Sequence, residues 1–100
     1  MSIQYILGLD GGGTKTVARL VNLRTSMQWQ VNAGATSLSN DYSLALSSIT
    51  DACEQLLAEA GCNAEQVSAV FGVAGAGDKS LVVKLQRDLP FNFAQLKVVS

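Results

Sequence analysis

The sequence predicts an α/β fold: a mixed five-stranded sheet in the order β-β-β-α-β-α-β. Three observations carry that prediction. Apolar runs of strand length fill the first third of the chain, with only turn signals between them. Two later stretches, one from Asp41 to Ala60 and one after Asp78, repeat their apolar residues at helical spacing instead. Each is followed by a further apolar run, the alternation that lays strands parallel and joins them by helical crossovers.

Ile3 to Asp10 is apolar on both sides of its alternation, as expected for a central strand covered on both faces. Thr16 to Asn22 forms the second strand, with Val17, Arg19 and Val21 on one face and Ala18 and Leu20 on the other. "NLRTS" turns the chain into a third, Met27 to Asn32, which carries Trp29 and completes a meander. The polar loop "AGATSLSN" at residues 33 to 40 ends in cap residues, Ser39 or Asn40. The first helix spans about Asp41 to Ala60 with Tyr42, Leu46, Ile49, Cys53, Leu56, Leu57 and Ala60 as its inward stripe, and Gly61 stops it. Val67 to Ala74 is the fourth strand, "GAGD" a turn, and Asp78 the cap of a second helix whose Leu81, Leu85 and Leu89 point inward before Pro90. A fifth strand begins at Leu96. Right-handed crossovers moving in one direction put both helices on one face of the sheet, so the other face is expected to lie open and to promote self-association.

The 100 residues suffice for one domain, and 48% hydrophobic with 15% charged content is that of a soluble globular protein. A net charge of −1 gives no reason to expect nucleic acid or an anionic membrane as partner. No apolar run approaches the ~20 residues of a membrane span. The start "MSIQYILGLD" has no signal-peptide pattern, so a cytoplasmic location is expected. Cys53 and Cys62 are too few for a disulfide framework, and the chain has no histidine. Chemistry here falls to carboxylates, hydroxyls, Lys15 and the backbone.

The stretch richest in such groups is "GLDGGGTKT", residues 8 to 16. It is not a Walker loop, because Thr14 rather than glycine precedes Lys15, nor a dinucleotide fingerprint, because a strand follows instead of a helix. The second glycine cluster, "GVAGAGDKS", lies between strand and helix but sets Asp78 before Lys79, where a carboxylate would repel a triphosphate. What remains is an acid at a strand end followed by a hairpin of bare backbone. Glycines at 11, 12 and 13 let successive N–H groups converge on an anion, with a hydroxyl and amide from Thr14 and a point charge from Lys15. Asp10 would then hold Mg²⁺ through water.

These nine residues resemble the first phosphate motif of the actin-like ATPase and sugar kinase superfamily, in particular its BadF/BadG/BcrA/BcrD branch, which includes N-acetylglucosamine and glucosamine kinases. The element order is similar to that superfamily's ribonuclease H-like lobe. The resemblance implies ATP and Mg²⁺ as cofactors, with Asp10 organising the metal and Gly11, Gly12, Gly13, Thr14 and Lys15 under the phosphates. It implies amino-sugar contacts from Thr36, Ser37 and Asn40 in the loop before the first helix, and from Gly75 and Asp78 after the fourth strand. Members of the branch are much longer, with two lobes closing on ATP and substrate, so residues 1–100 look like the N-terminal lobe alone, truncated and inactive in isolation. The branch's catalytic aspartate would follow directly after Ser100, and a homodimer is expected for the whole protein.

Two other functions are weighed. An ATPase activator of a 2-hydroxyacyl-CoA dehydratase would need cluster-binding cysteines, which neither Cys53 nor Cys62 resembles. A non-enzymatic nucleotide- or sugar-sensing module of related fold usually carries an N-terminal DNA-binding domain, and this chain begins at the first strand.

Overall fold

The meander and both crossovers form in the expected order in the computed structural model, which describes residues 2–100. The strands are β1 (Tyr5–Gly11), β2 (Thr16–Asn22), β3 (Gln28–Ala33), β4 (Val67–Val73) and β5 (Gln95–Val99), and the helices α1 (Tyr42–Ala60) and α2 (Lys79–Asp88). Their order across the sheet is β3-β2-β1-β4-β5. The meander pairs antiparallel, whereas β4 joins β1, and β5 joins β4, in parallel. The central strand therefore holds both kinds of ladder, and the carboxyl ends of β1, β4 and β5 lie along one edge. In open sheets of this kind that edge is where ligands bind.

The pleat sorts the sequence into two faces. Tyr5, Leu7 and Leu9 of β1, Ala18 and Leu20 of β2, and Val67, Ala69, Phe71 and Val73 of β4 are buried in one core with Ile49, Cys53 and Leu56 of α1 and Leu85 of α2. Burying each such aliphatic or aromatic side chain stabilises the fold by roughly 1.5–3 kcal/mol. Both helices lie on this face, tied at one end by the Tyr42 hydroxyl, which donates to Asp88 Oδ2 at 2.8 Å, with Lys84 Nζ 4.2 Å from the centre of the Tyr42 ring. Burial and the Asp88 carboxylate push the Tyr42 phenol up to about 12, so this contact is between a neutral phenol and an anion.

The opposite face of the described residues is open, as the crossover geometry predicted. Cover on both sides of β1 was expected from its composition and is not found: Ile6 is 40% exposed, and Val17 and Val70 beside it are exposed too. A shallow trough of about 690 Å³ runs along this face between Ile6, Asp10, Arg19, Val70 and Val99.

Local details depart from expectation in three places. The N-cap of α1 is Asp41, whose Oδ1 accepts from Leu44 N at 3.1 Å, not Ser39 or Asn40. Those residues belong to a preceding turn in which Asp41 N donates to the Ser37 carbonyl at 3.3 Å. The inward stripe of α1 is centred on Ala45, Ser48, Ile49, Ala52, Cys53 and Leu56, because small residues let the helix approach the sheet; Tyr42, Leu46, Leu57 and Ala60 flank it. A short 3-10 turn at Ala64–Gln66 leads into β4, closed where Asn63 N donates to Gln66 Oε1 at 3.0 Å. Gly61 ends α1 in the left-handed region at φ 66°, and Asp78 caps α2, both as predicted.

Candidate functional site

Three connections meet at the carboxyl edge of the parallel strands, and backbone hydrogen bonds stitch them together. Ala74 N donates to the Gly11 carbonyl at 3.3 Å, extending the β1–β4 ladder by one step. Thr36 N donates to the Gly12 carbonyl at 2.9 Å, and Leu38 N to the Ala74 carbonyl at 2.9 Å. The loop after β3 is thereby wedged between the glycine hairpin and the turn after β4. Residues far apart in sequence, Asp10 to Lys15, Thr36 to Asn40 and Gly75 to Asp78, become one patch.

The hairpin divides its glycines between two jobs. Gly11 is required by packing: a Cβ there would collide with Thr36 Oγ1 and come within 2.9 Å of Thr16 Oγ1. At Gly12 and Gly13 a Cβ would meet no protein atom within 4 Å. Neither residue has a left-handed backbone, since the positive-φ glycines are Gly61 and Gly75. The fold itself thus makes no demand for glycine at 12 or 13, and the space beside their backbone is free for a ligand. Gly12 N is already used, donating to the Lys15 carbonyl at 3.0 Å. Among the described residues, no protein group accepts from Gly13 N, Thr14 N or Lys15 N. An anion-binding nest at this hairpin would consist of those three amides, with the exposed Thr14 and Lys15 side chains beside them.

Asp10 projects from the last turn of β1's pleat onto the open face, opposite Val17 of β2 and Gly72 of β4. Gly72 leaves its flank clear. Its carboxylate is exposed, and among the described residues it carries no ion pair. A carboxylate free of cationic partners, three residues before the first open amide at Gly13, suits a hydrated divalent cation carrying phosphate.

Thr36 and Ser37, expected to meet a sugar through their hydroxyls, turn them into the protein. Thr36 is 0% exposed, its Oγ1 3.0 Å from Thr16 Oγ1, and Thr16 Oγ1 donates to the Gly34 carbonyl at 2.7 Å. Ser37 is buried, and its Oγ accepts from Asn40 N at 3.4 Å. Asn40 is exposed, with its side-chain amide available. Gly75 has φ 86°, and a Cβ there would come within 2.8 Å of Ser39 N, so it permits the close approach of the two loops. Asp78 is exposed, and the Ser80 hydroxyl and amide, at 2.6 and 2.9 Å, hold its carboxyl below the usual carboxylate range. Sequence reasoning missed the Thr16–Thr36 pair. The available signal was Thr16 itself, a polar residue on the inward row that continues to Ala18 and Leu20.

The cysteines take no part. Burial, then Glu54, pushes the Cys53 thiol up to about 12, and burial raises Cys62, so neither is a ready thiolate. No group of His, Cys, Asp and Glu among the described residues could form a metal cluster site, and no helix among them is long and apolar enough to cross a membrane.

Comparison with known proteins gives a consistent picture. The model of the BadF/BadG/BcrA/BcrD ATPase family matches residues 7–95. Among solved structures, a proposed N-acetylglucosamine kinase from Chromobacterium violaceum superposes with a TM-score of 0.80 at 24% identity, covering 98% of this chain and 35% of that one. A reductive activator for a corrinoid, iron-sulfur protein gives 0.59 at 17% identity, over 83% of this chain and 17% of that one. The Aquifex aeolicus PPX-GPPA enzyme gives 0.52 at 10% identity, over 96% and 36%. The chain thus spans about a third of the kinase-like structure's length. No curated protein matches it by sequence. At these identities the structural likenesses establish the fold.

Proposed function

The chain belongs to the BadF/BadG/BcrA/BcrD ATPase family and has the fold of actin-like ATPases and sugar kinases; from that premise we propose that it supplies the phosphate-binding lobe of an ATP-dependent amino-sugar kinase. The observation that carries this reading is the hairpin at Gly12 to Lys15, with the amides of Gly13, Thr14 and Lys15 unpartnered among the described residues, room beside Gly12 and Gly13 where side chains would stand, and a free acid alongside. The N–H groups of Gly13, Thr14 and Lys15 bind the terminal phosphates of ATP, Lys15 adds charge, and Gly11 and Gly12 keep the loop in place. Asp10 is the residue that would hold Mg²⁺, whose chemistry is to neutralise charge on the phosphoryl group being transferred.

N-acetylglucosamine or glucosamine is the proposed acceptor, with Asn40 and Asp78 as its exposed polar contacts and Gly75 allowing close approach. Thr36 and Ser37 shape that loop from within. The apolar open face of the sheet supports association with a second surface, and a homodimer of the full-length protein is part of the proposal. The likeness to a reductive activator favours a second reading, an ATPase whose hydrolysis drives a partner protein.

Measuring ADP release by the full-length protein with Mg-ATP separates the two. Release that depends on N-acetylglucosamine or glucosamine and falls by roughly a hundredfold or more in Asp10→Asn supports the kinase. Equal release with and without sugar, and no sugar phosphate formed, supports the activator reading instead.

A further inference from the structure

Beneath the hairpin, two buried threonine side chains meet against the backbone of Gly11 and Gly34. Thr36 is fully buried, its amide bound to the Gly12 carbonyl and its hydroxyl to that of Thr16. Thr16 Oγ1 has a single proton, and it goes to the Gly34 carbonyl at 2.7 Å. Gly11 lies against both hydroxyls so closely that no side chain could replace its hydrogen. The two sides of the candidate site, the hairpin and the loop from Gly34 to Asn40, therefore share one buried polar junction. If the junction served packing alone, valine would fill either threonine position at the same volume without a hydroxyl to satisfy. Two hydroxyls instead impose direction, since hydrogen bonds weaken steeply away from linear geometry, whereas apolar contacts slide.

We propose that the Thr16–Thr36 hydroxyl pair, seated under Gly11, is the joint that fixes the phosphate hairpin relative to the acceptor loop, making Thr36 a positioning residue for transfer. This rests on the kinase reading above. In the transfer, the bond from the γ-phosphorus to the bridging oxygen breaks and ADP leaves with the electron pair. A new bond forms to an acceptor oxygen, and the acceptor's proton is released. A sugar hydroxyl competes with water for that role, and it wins only if held in line with the γ-phosphorus. Displacement of about 1 Å can lower such a step by about a hundredfold, while water, small and mobile, is far less sensitive.

The test is the partition of product in the full-length protein: sugar phosphate formed against ADP released to water, with N-acetylglucosamine and glucosamine as acceptors. In Thr36→Val the ratio is expected to shift toward hydrolysis by about tenfold or more, with the KM for ATP little changed. Thr36→Ser, which keeps the hydroxyl, restores the wild-type ratio. Partial unfolding lowers both products together and leaves the ratio where it was, so the readout does not depend on the active fraction. A wild-type ratio in Thr36→Val, with sugar still phosphorylated, overturns the joint and leaves the kinase reading standing. Absence of sugar phosphate from the wild-type protein overturns both.

Discussion

The two turns of the β1–β2–β3 meander solve the same problem in opposite ways. Between β2 and β3, residues 22 to 27 consume their own polar groups. Asn22 Oδ1 accepts from Arg24 N at 2.9 Å and Thr25 N at 3.2 Å, and Thr25 Oγ1 accepts from Met27 N at 3.3 Å. Asn22 N donates to the Met27 carbonyl, and Ser26 N to the Asn22 carbonyl. Between β1 and β2, no side chain of the hairpin does this, and the amides of Gly13, Thr14 and Lys15 go without a protein partner among the described residues. One connection is complete by itself. The other is built to be completed by something else, and that contrast separates a site from a turn more sharply than glycine content does.

The contrast is broken most forcefully at Gly11, which belongs to the hairpin by sequence but to the core by packing. Gly11→Ala is expected to destabilise the fold by about 3 kcal/mol or more, because its methyl must displace the Thr16–Thr36 junction. Urea unfolding gives the value. Joining it with Thr36→Ala makes room for the added carbon, so the double variant should be less damaged than the sum of the two single ones. Strict additivity would mean that the collision is relieved elsewhere.

Gly13→Ala sharpens the comparison from the other side. With open space around it and no left-handed backbone, the substitution should leave stability equal or raise it by about 0.4–1 kcal/mol through the unfolded chain. Affinity for Mg-ADP, measured by titration calorimetry on the full-length protein, should fall by about tenfold or more, roughly 1.4 kcal/mol. Undiminished affinity would show that the open amides are not the phosphate site.

The matching substitution in the other turn is Asn22→Ala, which removes the acceptor of two backbone amides. A stability loss of about 1 kcal/mol with unchanged nucleotide affinity is expected. A loss of affinity there would imply that the turns communicate through β2.

How far these roles could be read from sequence depends on the distance over which each is decided. Element type follows from period, and helical spacing alone places Leu85 on the inward side of α2, where it is fully buried. The open sheet face also followed, because crossover direction is a rule of topology. The hairpin was legible from its composition, Asp10 through Lys15. What stays hidden is decided by contacts across some twenty positions, that Gly11 faces Thr36 and that Thr36 is buried, and by the closure of the hairpin itself, which spends Gly12 N on Lys15. A string of three glycines gives no sign that the first is held by packing while the next two stand free. The cap of α1 was misplaced for a related reason. Ser39, Asn40 and Asp41 are all good cap residues, and only the turn closed by the Ser37 carbonyl decides which of them comes last before the helix.

The smallest expected effect tests whether the β2–β3 turn is as replaceable as its self-sufficiency implies. Ser26 has φ 63°, the single non-glycine residue in the left-handed region among those described. That conformation costs an L-residue about 1–2 kcal/mol, while glycine adopts it freely but gives back about 0.5–1 kcal/mol through greater freedom in the unfolded chain. The Ser26 hydroxyl has no hydrogen-bond partner to forfeit among the described residues. Ser26→Gly should therefore raise stability slightly, by about 0.5 kcal/mol, in urea unfolding. A decrease would mean that the serine stiffens this turn usefully. An increase with unchanged turnover would leave the two connections as different in function as they are in hydrogen bonding: glycine welcome in the turn that only links strands, and an added side chain unwelcome at Gly13 in the hairpin that leaves its amides open.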